Sequence, residues 1–263
     1  MKPFNEFPRK ARQKIRFILT DIDDTLTFRG RLPAIAYSAM ERLQEAGLKV
    51  IPVTGRPAGW CDHFARMWPV DALVGENGAF YFHYDRKHRV MKRRYWRKKN
   101  DRTKDTIKLK GLQQKILKEV PGCRISADQT YREADLAIDF CEDVDPLPRS
   151  EVEKIVSLFE AAGATAKISS IHVNGWFGTY DKMKMTEVLF KELFIIDIAE
   201  AKNQVLFSGD SPNDAPMFNY FPHSVGVANI FNFSDELLCK PAWFTRREGG
   251  YGFAEIADIL LSR

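Results

Sequence analysis

The chain has 263 residues, a net charge of +5, 44% hydrophobic and 29% charged residues, and only 16 Gly and 13 Pro. That length holds one large core or two smaller ones, and that composition excludes the disordered, collagen-like and other fibrous classes. No apolar stretch approaches the ~20 residues of a spanning helix, so no membrane segment is expected.

From the N-terminus, Lys2, Arg9, Lys10, Arg12, Lys14 and Arg16 precede only a few apolar residues before acids begin, which is not the pattern of a secretory leader. A cytoplasmic setting is the expectation. Cys61, Cys123, Cys141 and Cys239 are scattered, with no C-x-x-C pair and no His at metal spacing, and are expected to be free thiols. Residues 15–20 form a β-branched and apolar run that ends at Asp21-Ile22-Asp23-Asp24, the signature of a buried strand meeting an acidic turn. Pro33 suits a first helical turn, Ala36, Ala39, Met40 and Leu43 recur at helical spacing, and Gly47 supplies the stop. Residues 48–53 read as a second strand. Strand, helix and strand in this order imply a right-handed βαβ unit whose ligands collect at the carboxyl ends of the strands, where Asp21, Asp23 and Thr54 stand. Trp60, Trp68 and residues 80–82 are expected to serve packing.

Residues 84–180 carry their own alternation of elements. Residues 106–119 predict a helix, and Leu136, Ile138 and Phe140 alternate like a strand. Ser150 with Glu153 predicts a capping box opening a helix that Gly163 ends, and residues 168–174 predict another strand. The block 86–99 holds Arg86, Lys87, Arg89, Lys92, Arg93, Arg94, Arg97, Lys98 and Lys99 with no acid among them. Tyr95 and Trp96 interleave with it, so a nucleic-acid reading is open; the plainer reading is a hairpin or loop whose charges face water. Beyond the insert, residues 205–208 form an apolar strand running into Gly209-Asp210-Ser211-Pro212-Asn213-Asp214. Residues 225–228 and 242–245 read as short strands and 253–261 as a helix. The predicted architecture is α/β: a doubly wound, Rossmann-like parallel-sheet core built from residues 1–83 and 181–263, with 84–180 inserted as an α/β cap domain.

Singly, each acidic turn is an ordinary solvated loop. In combination, the segments DIDDTLT, VTGRP, DK and GDSPND resemble the haloacid dehalogenase superfamily of phosphohydrolases. GENGA at 75–79 is similar to the substrate loop of its Cof-type phosphatases with a type-two (subtype B) α/β cap, which place the cap between VTGRP and DK. Asp24 stands where many relatives carry Gly; Asp tolerates unusual backbone angles better than most residues.

The resemblance implies a magnesium-dependent phosphatase acting on a small phosphate monoester, a sugar phosphate or related metabolite, through an aspartyl phosphate. Asp21 is then the nucleophile and Asp23 the general acid and base. The residue chemistry agrees. A carboxylate approaching a phosphate dianion is repelled by about 1 kcal/mol per charge pair at 4 Å in water, and by several times that in a dry site, so a cation is required. Asp21 and Asp210 offer hard oxygen ligands that suit magnesium, Asp214 lies near them, and by resemblance the main-chain carbonyl of Asp23 completes the set. Thr54 and Lys182 are expected on the transferring phosphoryl group, with Asn213 orienting its loop at the phosphate. Lys184 competes with Lys182, and the family pattern of Lys directly after Asp selects Lys182.

Substrate contacts are expected from Asn77 and from the strand face presenting Ser170, His172 and Asn174, with Arg132, Asp135 and Asp139 as further candidates; an exposed polar face is the plain alternative. Two other functions stay open on the sequence: a phosphosugar mutase of the same superfamily, and a nucleic-acid-binding protein using block 86–99. The partner expected is a small phosphorylated metabolite, and the oligomeric state is unassigned.

Overall fold

A computed structural model describes residues 1–169, 171–235 and 237–262. Six parallel strands form the central sheet: β1 (Lys2–Pro3), β2 (Phe17–Thr20), β3 (Lys49–Pro52), and, numbered by chain position, β11 (Val205–Gly209), β12 (His223–Gly226) and β13 (Trp243–Phe244). Their order is β1-β13-β12-β11-β2-β3, with Leu19 in register between Phe207 and Ile51. Side chains alternate across this sheet. Ile18, Val50, Leu206 and Val225 join Ala39, Met40, Leu43 and Phe253 of the helices Ala34–Glu45 and Gly249–Leu261 on one face. Phe17, Leu19, Ile51 and Phe207 join Met185, Leu189, Met217 and Phe218 of the helices Lys182–Leu189 and Ala215–Tyr220 on the other. A parallel sheet covered on both faces needs strands that are apolar throughout, as residues 17–19 are, and each fully buried large side chain contributes about 1.5–3 kcal/mol. The doubly wound core is therefore present. Its N-terminal strand β1, two residues beside β13, has no periodicity that a sequence could display.

Between Thr54 and Lys182 the chain builds two antiparallel sheets. β4 (Leu73–Gly75), β5 (Phe80–Asp85) and β6 (Val90–Tyr95) form the first, which meets the core sheet through a parallel bridge between Val53 and Val74. The expected boundary after residue 83 falls inside β5. Most of the basic block is the exposed β5–β6 hairpin, where Lys92 pairs with Asp85, Arg93 with Asp62 and Arg94 with Glu192. The second sheet has the order β7-β8-β10-β9, from β7 (Arg124–Ile125), β8 (Asp135–Asp139), β9 (Thr165–Ile168) and β10 (His172–Trp176). Leu136, Ile138 and Val173 point to the helices Lys99–Glu119 and Arg149–Ala161, against Leu112, Ile116, Ile155 and Phe159. By the two-residue period, Asp135, Asp139, His172 and Asn174 face the core domain instead.

Four sequence expectations change. The single strand read over 168–174 is divided, one antiparallel strand ending at Ile168 and the next beginning at His172, and Val173 pairs back onto Ile168; Ser170 lies outside the described residues. The capping box does not form, because Pro148 occupies the N-cap position of Arg149–Ala161 with no side-chain cap bond. The helix read from 106 begins at Lys99, since exposed lysines sustain a helix that apolar periodicity does not mark. Trp60 is 37% exposed and lies under the Arg56 guanidinium at 4.6 Å instead of in the core. No disulfide joins the four cysteines, and Cys61 and Cys123 are buried. Among the described residues no helix is long and apolar enough to cross a membrane.

Candidate active site

The carboxyl ends of β2 and β11 lie side by side, so the turns that follow them must converge. Asp21 leaves β2 with its amide donating to Ser208 O at 2.9 Å. Asp210 leaves β11, and Asp214 returns one turn later to accept from the Asp210 amide at 3.2 Å. Glycine is required just before this turn, because a Cβ at Gly209 would lie 2.4 Å from Asp214 Oδ2. Asp21, Asp210 and Asp214 are buried and offer oxygens within 4.8 Å of one another. Lys182, at the start of its helix, donates to Asp21 Oδ1 at 2.8 Å and to Asp214 Oδ1 at 3.0 Å. Asp210 is left to neutral donors, Thr25 Oγ1 at 3.1 Å and Asn229 Nδ2 at 3.0 Å. Asp24 adopts φ +54°, the left-handed region that explains Gly in relatives at this turn, and its carbonyl also accepts from Asn229.

Of three buried carboxylates, two thus share one ammonium and the third has none. Burial pushes Asp21 up to about 8, with Lys182 opposing and Asp214 and Asp23 reinforcing, and raises Asp210 well above the usual range for the same first reason. Burial works against charged Lys182, but Asp21 and Asp214 outweigh it and hold the ammonium above its ordinary value. Hard oxygen donors short of positive charge are the donor set that fits magnesium.

A pH dependence follows. The folded chain retains on Asp21 a proton that the unfolded chain releases near its ordinary value of 3.8, so the stability this contributes is present below about pH 4 and lost as pH rises through about 8. Magnesium binds the deprotonated carboxylates. The rise in Tm caused by magnesium over chelator is therefore expected to be larger at pH 8.5 than at pH 6 in scanning calorimetry; a pH-independent rise would contradict it.

Asp23 stands apart from the carboxylate trio. Arg56 holds it with a fork, Nε at 2.9 and 3.0 Å and Nη2 at 2.7 Å, and the same guanidinium reaches Asp128 at 3.5 Å and Glu142 at 3.6 Å in the cap. Thr54 is wholly buried; its hydroxyl oxygen accepts from the Arg56 amide at 3.0 Å, which leaves the hydroxyl proton available to a phosphate oxygen. Asn213 accepts from Ser211 at 2.9 Å. Asn77 lies in the left-handed region at φ +56°, and its buried amide nitrogen has no partner among the described residues. The adjacent Gly78 is fixed by crowding, since a Cβ there would fall 2.1 Å from Asp181 O.

Asp21, Asp23, Arg56, Asn77, His172, Asn174 and Asn213 surround one cavity of ≈30 Å³. His172 Nε2 is 2.9 Å from Glu142 but poorly aligned for a hydrogen bond, and Asn174 donates to Asp135 at 3.2 Å. Arg132 and Asp139 are otherwise engaged. Arg132 spends its donors on Asp128, Asp135 and Gly55 O, pinning cap to core, and Asp139 accepts three amides of the turn at Cys141, Glu142 and Asp143. Sequence reasoning missed Arg56, Glu76 and Asn229. Arg56 sits within VTGRP and could have been found; Asn229 meets Asp24 from 205 residues away with no local signal.

A doubly wound core with a convergent acidic centre beneath an antiparallel α/β cap defines a capped α/β enzyme fold. Residues 18–116 match the family of haloacid dehalogenase-like hydrolases. The chain superposes on a Thermoplasma acidophilum protein with TM-score 0.70 at 19% identity, covering 94% of this chain and 98% of that one. It superposes on the sucrose-phosphatase of Synechocystis with TM-score 0.61 at 16%, covering 94% and 98%. On a HAD subclass IIB sugar phosphatase the values are 0.61 and 13%, covering 93% and 96%. These likenesses establish the fold. No curated protein matches the chain. The family match covers residues 18–116, and over the rest of the chain the likeness is one of fold.

Proposed function

We propose that the protein is a magnesium-dependent phosphatase of a small phosphate monoester, a sugar phosphate or related metabolite, working through an aspartyl phosphate on Asp21. The observation that carries this reading is the convergence of Asp21, Asp210 and Asp214, with Lys182 paired to Asp21 and Asp214 and Asp23 facing the same cavity from the next turn. In its support stands the likeness in fold to two sugar phosphatases. We further propose that the two units act as core and cap, as the insertion between Thr54 and Lys182 suggests.

Asp21 attacks phosphorus, the ester P–O bond breaks, and the departing alkoxide takes a proton from Asp23. Water then attacks the aspartyl phosphate and returns a proton to Asp23, releasing phosphate and restoring Asp21. For the first step Asp23 must carry a proton, and the Arg56 fork holds its side chain at the cavity. Lys182 neutralises charge on the transferring group while Thr54 donates its hydroxyl to a phosphate oxygen. Asp21, Asp210 and Asp214, with the Asp23 carbonyl, would hold magnesium, which when bound would supply the charge that lets an anionic nucleophile meet an anionic phosphate.

Purified protein assayed for phosphate release from a panel of phosphorylated metabolites, with magnesium, tests the proposal; no release from any member overturns it, and an isomeric product with little free phosphate makes it a mutase. The cap's part is tested separately. Ala at His172 and Asn174 is expected to raise KM for the preferred substrate at least tenfold while changing it less than threefold for a small aryl phosphate, since each lost hydrogen bond is worth about 0.5–1.5 kcal/mol. Equal effects on both substrates would remove these residues from recognition.

A further inference from the structure

The cavity over Asp21, at ≈30 Å³, is about a tenth of the smallest sites for small organic ligands, which usually span about 300–1,000 Å³. A phosphoryl group and little else belongs there, so the alcohol it is attached to needs other space. Such space adjoins it. Ser169, Ser211 and Asn213 line the cavity on one side and an open groove of ≈790 Å³ on the other.

The groove runs between the two units. Its cap wall is Phe140, Val156 and Ile168, and its core wall is Pro216, Phe233 and Leu238, the last 92% exposed. No Asp or Glu is among its described lining residues. Its polar lining, Lys167, Ser169, Ser211, Asn213 and Asn219 among the described residues, gathers toward the cavity and one rim, and water in contact with the apolar walls is released at a gain when apolar surface covers them.

We propose that this groove binds the apolar body of the alcohol, making monoesters of aliphatic or aromatic alcohols the favoured substrates. The inference rests on the phosphatase reading and, among its phosphate monoesters, sets those of apolar alcohols before sugar phosphates. The phosphate sits over Asp21, the ester oxygen faces Asp23, and the chain leaves between Ser169 and Ser211 along the groove.

The test is a series of primary alkyl phosphates from methyl to octyl, with phenyl phosphate and a hexose phosphate beside them, assayed with magnesium. kcat/KM is expected to rise roughly fourfold for each methylene the groove covers, from the ~0.8 kcal/mol transferred per group. The double variant Val156→Asp, Leu238→Asp changes two groove positions remote from the carboxylates and is expected to reduce kcat/KM for octyl phosphate at least tenfold while leaving methyl phosphate unaltered. A profile flat in chain length, or a hexose phosphate preferred over octyl phosphate, overturns the groove assignment while the phosphatase reading survives. Binding separates the two failures: octylphosphonate, which has no ester bond to cleave, is expected to bind at least tenfold tighter than methylphosphonate in calorimetry and to lose that advantage in the double variant. If no ester releases phosphate but this difference holds, the phosphatase reading fails and the groove stands as a ligand site. If the phosphonates bind alike, the groove assignment fails.

Discussion

Asp21→Asn is expected to lower kcat by about four to six orders of magnitude while the protein stays folded. The amide has nearly the shape of the carboxylate, and Lys182 keeps Asp214 as a partner at 3.0 Å, so packing and the buried ammonium are both provided for. The chemistry is not, because an amide oxygen cannot become the acyl phosphate oxygen and be regenerated by water. The measurement pairs steady-state phosphate release with acid-quenched mass spectrometry: the native protein should carry a phosphoryl group on Asp21 during turnover and the variant none. Turnover within tenfold of native by a variant with an unchanged Tm would remove Asp21 from the nucleophile's role.

Removal of divalent cations is expected to leave less than about 1% of activity, with magnesium restoring it and calcium restoring little. Two unit negative charges at 4 Å cost about 4 kcal/mol at an effective dielectric of 20, and a phosphate dianion meets more than one such charge among Asp21, Asp210 and Asp214. Lys182 offsets only part of this. Calcium takes more ligands at longer distances than magnesium, which would displace the phosphorus from its line with Asp21. Activity in excess chelator equal to that with magnesium would exclude this account, as would full activity with calcium.

The core was legible in the sequence because its strands are apolar on both faces and stop at acids. Residues 15–20 and 205–208 need no partner to be recognised, and once they pair as parallel neighbours Asp21 and Asp210 must meet. His172 and Asn174 were placed by period two alone, and their side of β10 survives the correction that divided residues 168–174 into two strands. What the sequence could not display is contact across distance. Arg56 is visible as a letter in VTGRP, but its fork on Asp23 depends on cap residues 72 and 86 positions further on that close over it. The helix from Lys99 escaped for a different reason: its first turns are solvated on nearly all sides, so they carry no apolar rhythm to read.

Glu76 bears on how the two units can move. One buried carboxylate accepts from the amide of Ala58 at 2.8 Å in the core and from those of Glu133, Ala134 and Asp135 at 2.9, 2.6 and 3.2 Å in the cap. These bonds tie the two units beside the contacts of Arg132 with Gly55 O and of Arg56 with Asp128 and Glu142, and breaking them would leave a buried polar group unpaired at a cost of several kcal/mol. A motion that releases the Arg56 contacts and preserves those of Glu76 is a rotation about this carboxylate, in which the cap tilts like a lever on a fulcrum rather than lifting away. Displacement then grows with distance from Glu76, and a substitution such as Glu76→Ala would turn a guided swing into a loose one without touching any group that meets phosphate.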